Sequence, residues 1–271
     1  MADITAKQVQ ALRAKTDLAM MDCKSALVEA GGDETKALEI LRKKFADKMS
    51  TRADKEAANG RIGVYADDKA AALAELRCET DFVATNDTFK ELANAIAATC
   101  AATGITDPEK IKDAKTPSGQ TVNQLLVDAF GKIKENIGIR RLKRIEGPGA
   151  CYVHHNGKVG AAIVGDKTPS EAGRQVCMHI ASTPVILGLV REEVDAKEVA
   201  AAKEKAREEA KGKPEPIIEK IVGGKLDKWY AERVLTEQPF VMDDKKSVGA
   251  FAREKGFVIK SYAKFEVGGL N

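Results

Sequence analysis

The stretch Asn59-Gly60-Arg61-Ile62-Gly63 recurs as Asn156-Gly157-Lys158-Val159-Gly160. A repeat of this kind constrains a chain more than any single motif, because two similar segments must build two similar units around adjoining cores. Both copies read as hairpin turns between β-patterned stretches, and each then enters a helix. Two later correspondences support the repeat. Thr121-Val122 with Leu125 answers Ser247-Val248 with Phe251, and the segment 141–146 answers 261–266. The spacing between copies widens along the chain, so the second copy carries an insertion.

The insertion can be located. Charged residues 192–210 carry a narrow stripe of Val194, Ala196, Val199, Ala202, Ala206 and Ala210. Gly212 and the prolines 214 and 216 interrupt it, and Ile217, Ile218, Ile221, Val222, Leu226 and Trp229 form the stripe of a returning helix. That pattern predicts an antiparallel helical hairpin over 191–229. At the other end of the chain, Thr5 caps a helix through Val9 and Leu12, a second helix ends at Gly31-Gly32, and Asp33 caps a third carrying Ala37, Ile40 and Leu41. The predicted organisation is α+β. A three-helix bundle at 1–45 and a charged tether at 46–58 precede two α+β subdomains with antiparallel sheets, at 59–147 and at 148–190 plus 230–271. The hairpin is inserted in the second. A bundle so small buries little apolar area and is expected to be marginal alone.

One corner stands out chemically. The apolar run through Leu73, Leu76 and Cys78 stops at Glu79, and Thr80 or Asp81 is placed to cap the helix that carries Phe89, Leu92 and Ile96. Thr80-Asp81-Phe82-Val83 therefore lies at a strand-to-helix corner. There, a bulky aromatic beside an acid is either a cap followed by a core Phe, or a pair presented to a partner protein. Lys+Arg 44 against Asp+Glu 41 leaves a net charge of +3, too small a field to make nucleic acid the main partner. Five cysteines without a C-x-x-C pair read as reduced thiols in a cytoplasmic protein. The N-terminal residues form no apolar leader, and no run approaches the roughly eighteen apolar residues of a membrane span. The pairs Cys151/His154 and Cys177/His179 fit no common zinc spacing, and phosphate-loop, nucleophile-elbow and dinucleotide motifs do not occur. No enzyme activity, cofactor or metal is expected. A protein that acts on a partner through its surface and a binding adaptor both fit these features.

The corner resembles the T-D-F-V segment of the bacterial elongation factor Ts family, which exchanges nucleotide on elongation factor Tu. Further matches follow in order. They are Met20-Met21-Asp22-Cys23-Lys24, Glu135-Asn136-Ile137-Gly138-Ile139-Arg140-Arg141, Met178-His179-Ile180-Ala181 and Gln238-Pro239-Phe240-Val241-Met242. The resemblance spans nearly the whole chain. It implies a ubiquitin-associated-like bundle and a coiled-coil hairpin that can serve dimerisation, with tRNA contact only inside a partner complex. It further implies that Phe82 wedges between helices of the partner while Asp81 disturbs its Mg²⁺ site, with Thr80 and Val83 shaping the corner. Arg13, Met20 and Met21 match positions that dock the GTPase domain, His179 one that presses toward the phosphates, and Val241 and Met242 positions near the partner's third domain. A satisfied structural imidazole is the alternative for His179. Met20 and Met21 cannot both face the core of a short helix, so one is expected in solvent. The turn at Asp17-Leu18-Ala19 lacks the family's glycines. The chain stops soon after Phe265-Glu266-Val267-Gly268, so contacts of the C-terminal helix carried by some members are expected to be absent.

Overall fold

The computed structural model describes residues 4–269. Three helices open the chain: α1 (Ala6–Thr16), α2 (Met20–Glu29) and α3 (Glu34–Thr51). Thr5 and Gln8 form a reciprocal capping box at α1, and Asp33 accepts the Thr35 and Lys36 N–H groups at the start of α3. Leu12, Leu27 and Leu41 are fully buried between them, each stabilising the fold by about 1.5–3 kcal/mol. The third helix runs six residues past the expected boundary at 45, because Phe45 and Met49 continue its apolar stripe onto the core. Much of the predicted tether is thus the end of a helix. Asp17 closes α1 in the left-handed conformation (φ 57°), so an acid stands where glycine would be unstrained.

The first α+β unit contains β1 (Asn59–Ala66), β2 (Ala70–Cys78), α4 (Asp81–Thr85), α5 (Asp87–Thr103), α6 (Val122–Ile133) and β3 (Gly138–Glu146). The second contains β4 (Gly149–Val153), β5 (Val159–Gly165), α7 (Ser170–Ser182), α8 (Ala196–Glu209), α9 (Glu215–Arg233), β6 (Pro239–Phe240), β7 (Asp243–Ser247), α10 (Val248–Glu254) and β8 (Ile259–Glu266). Antiparallel sheets of order β1-β2-β3 and β4-β5-β8 result, with β6 and β7 forming a small ribbon. Side-chain alternation separates three cores. Ala70, Ala72, Ala74 and Leu76 of β2 face α5 and α6, whereas Ala71 and Leu73 meet Ala162 and Val164 of β5 between the two sheets. Ala161 and Ile163 then face α7 and α10. Helices, sheet, sheet and helices thus form successive layers, and β2 reads as a nearly unbroken apolar run because both of its faces are covered.

Topology corrects the first repeat correspondence. Asn156-Gly157 does lie in the turn between β4 and β5, with Gly157 at φ 73°. Asn59-Gly60 instead opens β1, and among the described residues no strand precedes it. The element equivalent to β1 is β4, an outer strand, while β5 answers β2 at the centre of its sheet. What the two copies share is a demand for close approach: a Cβ on Gly63 would lie 2.2 Å from the Ala93 carbonyl of α5, and one on Gly160 would lie 2.4 Å from Ile62. The later correspondences do fall on equivalent elements. Thr121 caps α6 as Ser247 caps α10, and β3 and β8 each complete a sheet.

Helices α8 and α9 run antiparallel. Arg207 pairs with Glu215 and Glu219, Lys225 with Glu209, and Arg191 near the base with Asp227. These pairs are exposed and screened by solvent, so they add little to stability. Ala206, Ala210 and Val222 form the buried seam. The returning helix continues to Arg233, beyond the expected end at 229, because Arg191 also clamps Glu237 and stacks on Tyr230, which keeps the base of the pair helical.

Candidate functional site

The strand-to-helix corner is built differently from the expectation. Thr80 caps α4, a separate helix of five residues, and Asn86 caps α5 by accepting the Thr88 N–H. The chain restarts at Asn86 because that residue is extended (φ −67°, ψ 138°), which ends α4 and turns Phe89 into the core. Phe82 is therefore not a core residue: it is 83% exposed, beside an exposed Asp81. Val83 is half-buried against the core and Ala84 is buried. Arg61, itself buried, donates to the Ala84 carbonyl at 3.2 Å and ties α4 to β1.

Beneath the corner lies a network of carboxylates. Glu135 Oε2 accepts the Glu79 N–H (3.1 Å) and the Thr80 N–H (2.9 Å), and its Oε1 accepts the Thr80 hydroxyl (2.6 Å). Glu79 accepts a bidentate Arg52 (2.6 and 2.8 Å) and the Asn136 N–H (2.5 Å). The Arg52 guanidinium, then that N–H, hold the Glu79 carboxyl below its ordinary range. Asn136 Nδ2 in turn donates to the Ala53 and Lys55 carbonyls. The end of α3 is thus stitched to the corner. Cys78, just before it, donates to the Thr80 carbonyl, and burial pushes its thiol up to about 12, so it is no nucleophile.

The bundle approaches the network through Asp22. Met20 and Met21 are both exposed, not one alone, because Cys23, Ala26 and Leu27 take the inward positions of α2. Arg13 is exposed on α1. Asp22, next to Met21, pairs with Lys44 at 2.9 Å and Lys134 at 3.8 Å, and Lys134 is the neighbour of Glu135.

His179 lies in the second unit and is 4% exposed. Its Nε2 is 2.9 Å from Gln238 Oε1, and its Nδ1 accepts the Val241 N–H at 3.2 Å. Gln238 spends its amide hydrogens on the Val185 and Glu232 carbonyls, so its oxygen must accept. The imidazole is consequently the neutral tautomer with the proton on Nε2. Burial pushes its pKa below the ordinary 6.5, with the Gln238 hydrogen bond acting in the opposite sense. The ring fixes the turn on which Val241 and Met242 stand exposed. A shallow apolar groove of about 370 Å³ lies beside it, lined by Tyr152, Met178, Ala181 and both exposed residues.

The structure therefore joins Thr80–Val83 to the bundle through residues 134–136, and joins His179 to Val241 and Met242. Glu135, Asn136 and Gln238 stood in the sequence as motif letters without a task. Their signal was position: polar residues next to an α-to-β junction and next to an exposed turn. Arg52 and Arg61 had no local signal, since their partners are distant in sequence. Among the described residues no group of three or more His, Cys, Asp or Glu is placed to hold a metal, and no helix is long and apolar enough to cross a membrane.

Fold and site together define a two-sheet α+β scaffold whose candidate residues stand on exposed, internally braced turns. The family model described as Elongation factor TS matches residues 79–269. Similar curated proteins include Elongation factor Ts of Azoarcus sp. (strain BH72), 44% identical across 99% of this chain and 92% of that protein. Those of Psychrobacter sp. (strain PRwf-1), 39% identical, and Hyphomonas neptunium, 40% identical, cover 99% of this chain and 92% and 93% of their own. The chain belongs to the elongation factor Ts family of translation elongation factors.

Proposed function

We propose that this protein is a guanine nucleotide exchange factor for elongation factor Tu, binding the GDP-bound GTPase and promoting GDP release by disturbing its Mg²⁺ and phosphate site. It acts in the cytoplasm, through its surface and not as an enzyme. The observation that carries the reading is Phe82, a large apolar ring held out in solvent on a short helix that the protein braces from below. A side chain so placed gains by burial in a partner and loses nothing at home. Asp81 beside it brings a carboxylate toward a bound cation, while Arg13, Met20 and Met21 on the adjoining bundle and Val241 and Met242 on the far turn supply further contacts. Exposed methionines suit a partner that changes shape. His179 contributes by shaping the turn at 241–242. The bundle is the ubiquitin-associated-like element, and the α8–α9 pair is a coiled-coil hairpin open to self-association.

Displacement of nucleotide requires reciprocity: a factor that weakens GDP binding is itself bound less tightly when GDP is present. Release of fluorescent GDP from elongation factor Tu should accelerate on adding this protein, and GDP with Mg²⁺ should dissociate the complex in a dose-dependent way. EDTA alone should speed release and shrink the added effect. Binding indifferent to GDP, with no acceleration, would reject the proposal.

A further inference from the structure

Five residues cannot hold a helix by themselves, since the cost of nucleation exceeds what one turn returns. Helix α4 nevertheless carries Phe82, so something outside it must fix its geometry. Its cap is the Thr80 hydroxyl, which accepts the Val83 N–H at 3.4 Å, a long and weak bond. That hydroxyl donates its own hydrogen to Glu135 Oε1 at 2.6 Å, which turns its lone pairs toward the helix. The second oxygen of the same carboxylate takes the two backbone N–H groups that lead into the turn. One side chain thus satisfies three donors in two consecutive residues. Asn136, its neighbour, is bound to Glu79 and to the carbonyls after α3, so the carboxylate is itself held.

From this geometry we infer that Glu135 is a positioning residue for nucleotide exchange: it fixes the Thr80 cap so that Phe82 meets the partner in one orientation. The inference rests on the exchange reading above. A group ordered beforehand costs less to order on binding, so the effect falls on the step in which Phe82 acts and not on docking through the bundle or the far turn.

The test measures GDP release from elongation factor Tu over a range of factor concentrations, together with amide hydrogen exchange at residues 81–85 of the free protein. Glu135→Ala should lower the plateau rate at least fivefold while moving the half-saturating concentration less than twofold, and should speed exchange at Val83 and Ala84. Partial unfolding would do the reverse to the kinetics, raising the half-saturating concentration at an unchanged plateau. Glu135→Gln keeps an oxygen for the two N–H groups but offers the Thr80 hydroxyl only an N–H donor, so its plateau should fall between those of wild type and Glu135→Ala. In a Phe82→Ala background, Glu135→Ala should add nothing. Should the alanine variant not fold, Glu135→Asp, which withdraws the carboxylate by one methylene, should lower the plateau in the same way. An unchanged plateau, equal losses for Ala and Gln, or an additive loss on Phe82→Ala would each overturn the inference. A wild-type protein that fails to speed release would reject the exchange reading instead, and the amide exchange at 81–85 would still decide whether Glu135 holds the turn.

Discussion

Phe82 leaves most of its ring in solvent, so Phe82→Ala should change folding stability by no more than about 0.5 kcal/mol. Its loss should instead slow stimulated GDP release at least about tenfold, which corresponds to about 1.4 kcal/mol of barrier. Denaturant unfolding and fluorescent-nucleotide release on the same sample separate the two effects, and unchanged release would remove Phe82 from the mechanism. His179 makes the opposite case, a buried side chain whose chemistry is internal. Its folded pKa lies below 6.5, so the unfolded chain takes up the proton first as the pH falls. The stability held by the neutral ring is therefore complete above about pH 6.5 and is lost as the pH falls from there toward the lower folded value. Protonation would also set an Nδ1–H against the Val241 N–H. Ring resonances of His179 that titrate below pH 6.5, with a turn at 241–242 that loosens in the same range, are the expected result.

At the scale of elements, the two helical additions differ in what holds them. Helix α4 is braced by side chains from β1 and the α6–β3 junction, whereas α8 and α9 are held largely by each other, with only Ala206, Ala210 and Val222 buried along their length. Gly223 and Gly224 lie within α9, and a Cβ on either meets nothing within 4 Å. Both are exposed in the helix interior, where glycine is entropically unfavourable. Gly223→Ala and Gly224→Ala should each stabilise the hairpin by about 0.5–1 kcal/mol. Slower amide exchange confined to α8 and α9, with the sheets unaffected, is the expected signature. A loss of stability would mean that the glycines relieve a contact made elsewhere.

At the scale of the molecule, the N-terminal helices are not an independent bead. Leu18 and Phe45 share one core with Leu126 and Phe130 of α6, and Arg42 makes a bidentate pair with Asp128 at 2.8–2.9 Å. The seat is cut by Gly131, where an added Cβ would fall 2.8 Å from Leu18 and 2.9 Å from Phe45. Gly131→Leu should therefore cost about 1–3 kcal/mol through overpacking and lift the bundle from the core. Faster exchange in α1–α3 than in β2 and β5 would show it. Because Asp22 and Lys134 connect this seat to the corner network, stimulated GDP release should fall in the same variant, even though Phe82 is untouched.

Caps, turns and apolar spacing are local, and so the sequence alone determined the three opening helices, the caps at Thr5 and Asp33, and the interrupted stripe of α8 and α9. Ordered motifs along the chain likewise carried the family. The exposure of Phe82 was left open because a capping acid before a core aromatic has the same letters; only the extended backbone at Asn86, which ends α4 early, decided it. The sequence also paired β1 with β5, since glycines that permit close approach look alike in an outer and a central strand, and the hydrogen-bond ladder alone tells them apart. The positions of Glu135, Asn136 and Gln238 were a local signal, but which groups they bind, and the burial of His179, were beyond any local reading. Their partners lie roughly 25 to 60 residues away, and desolvation and hydrogen bonding act through space once the layers have closed.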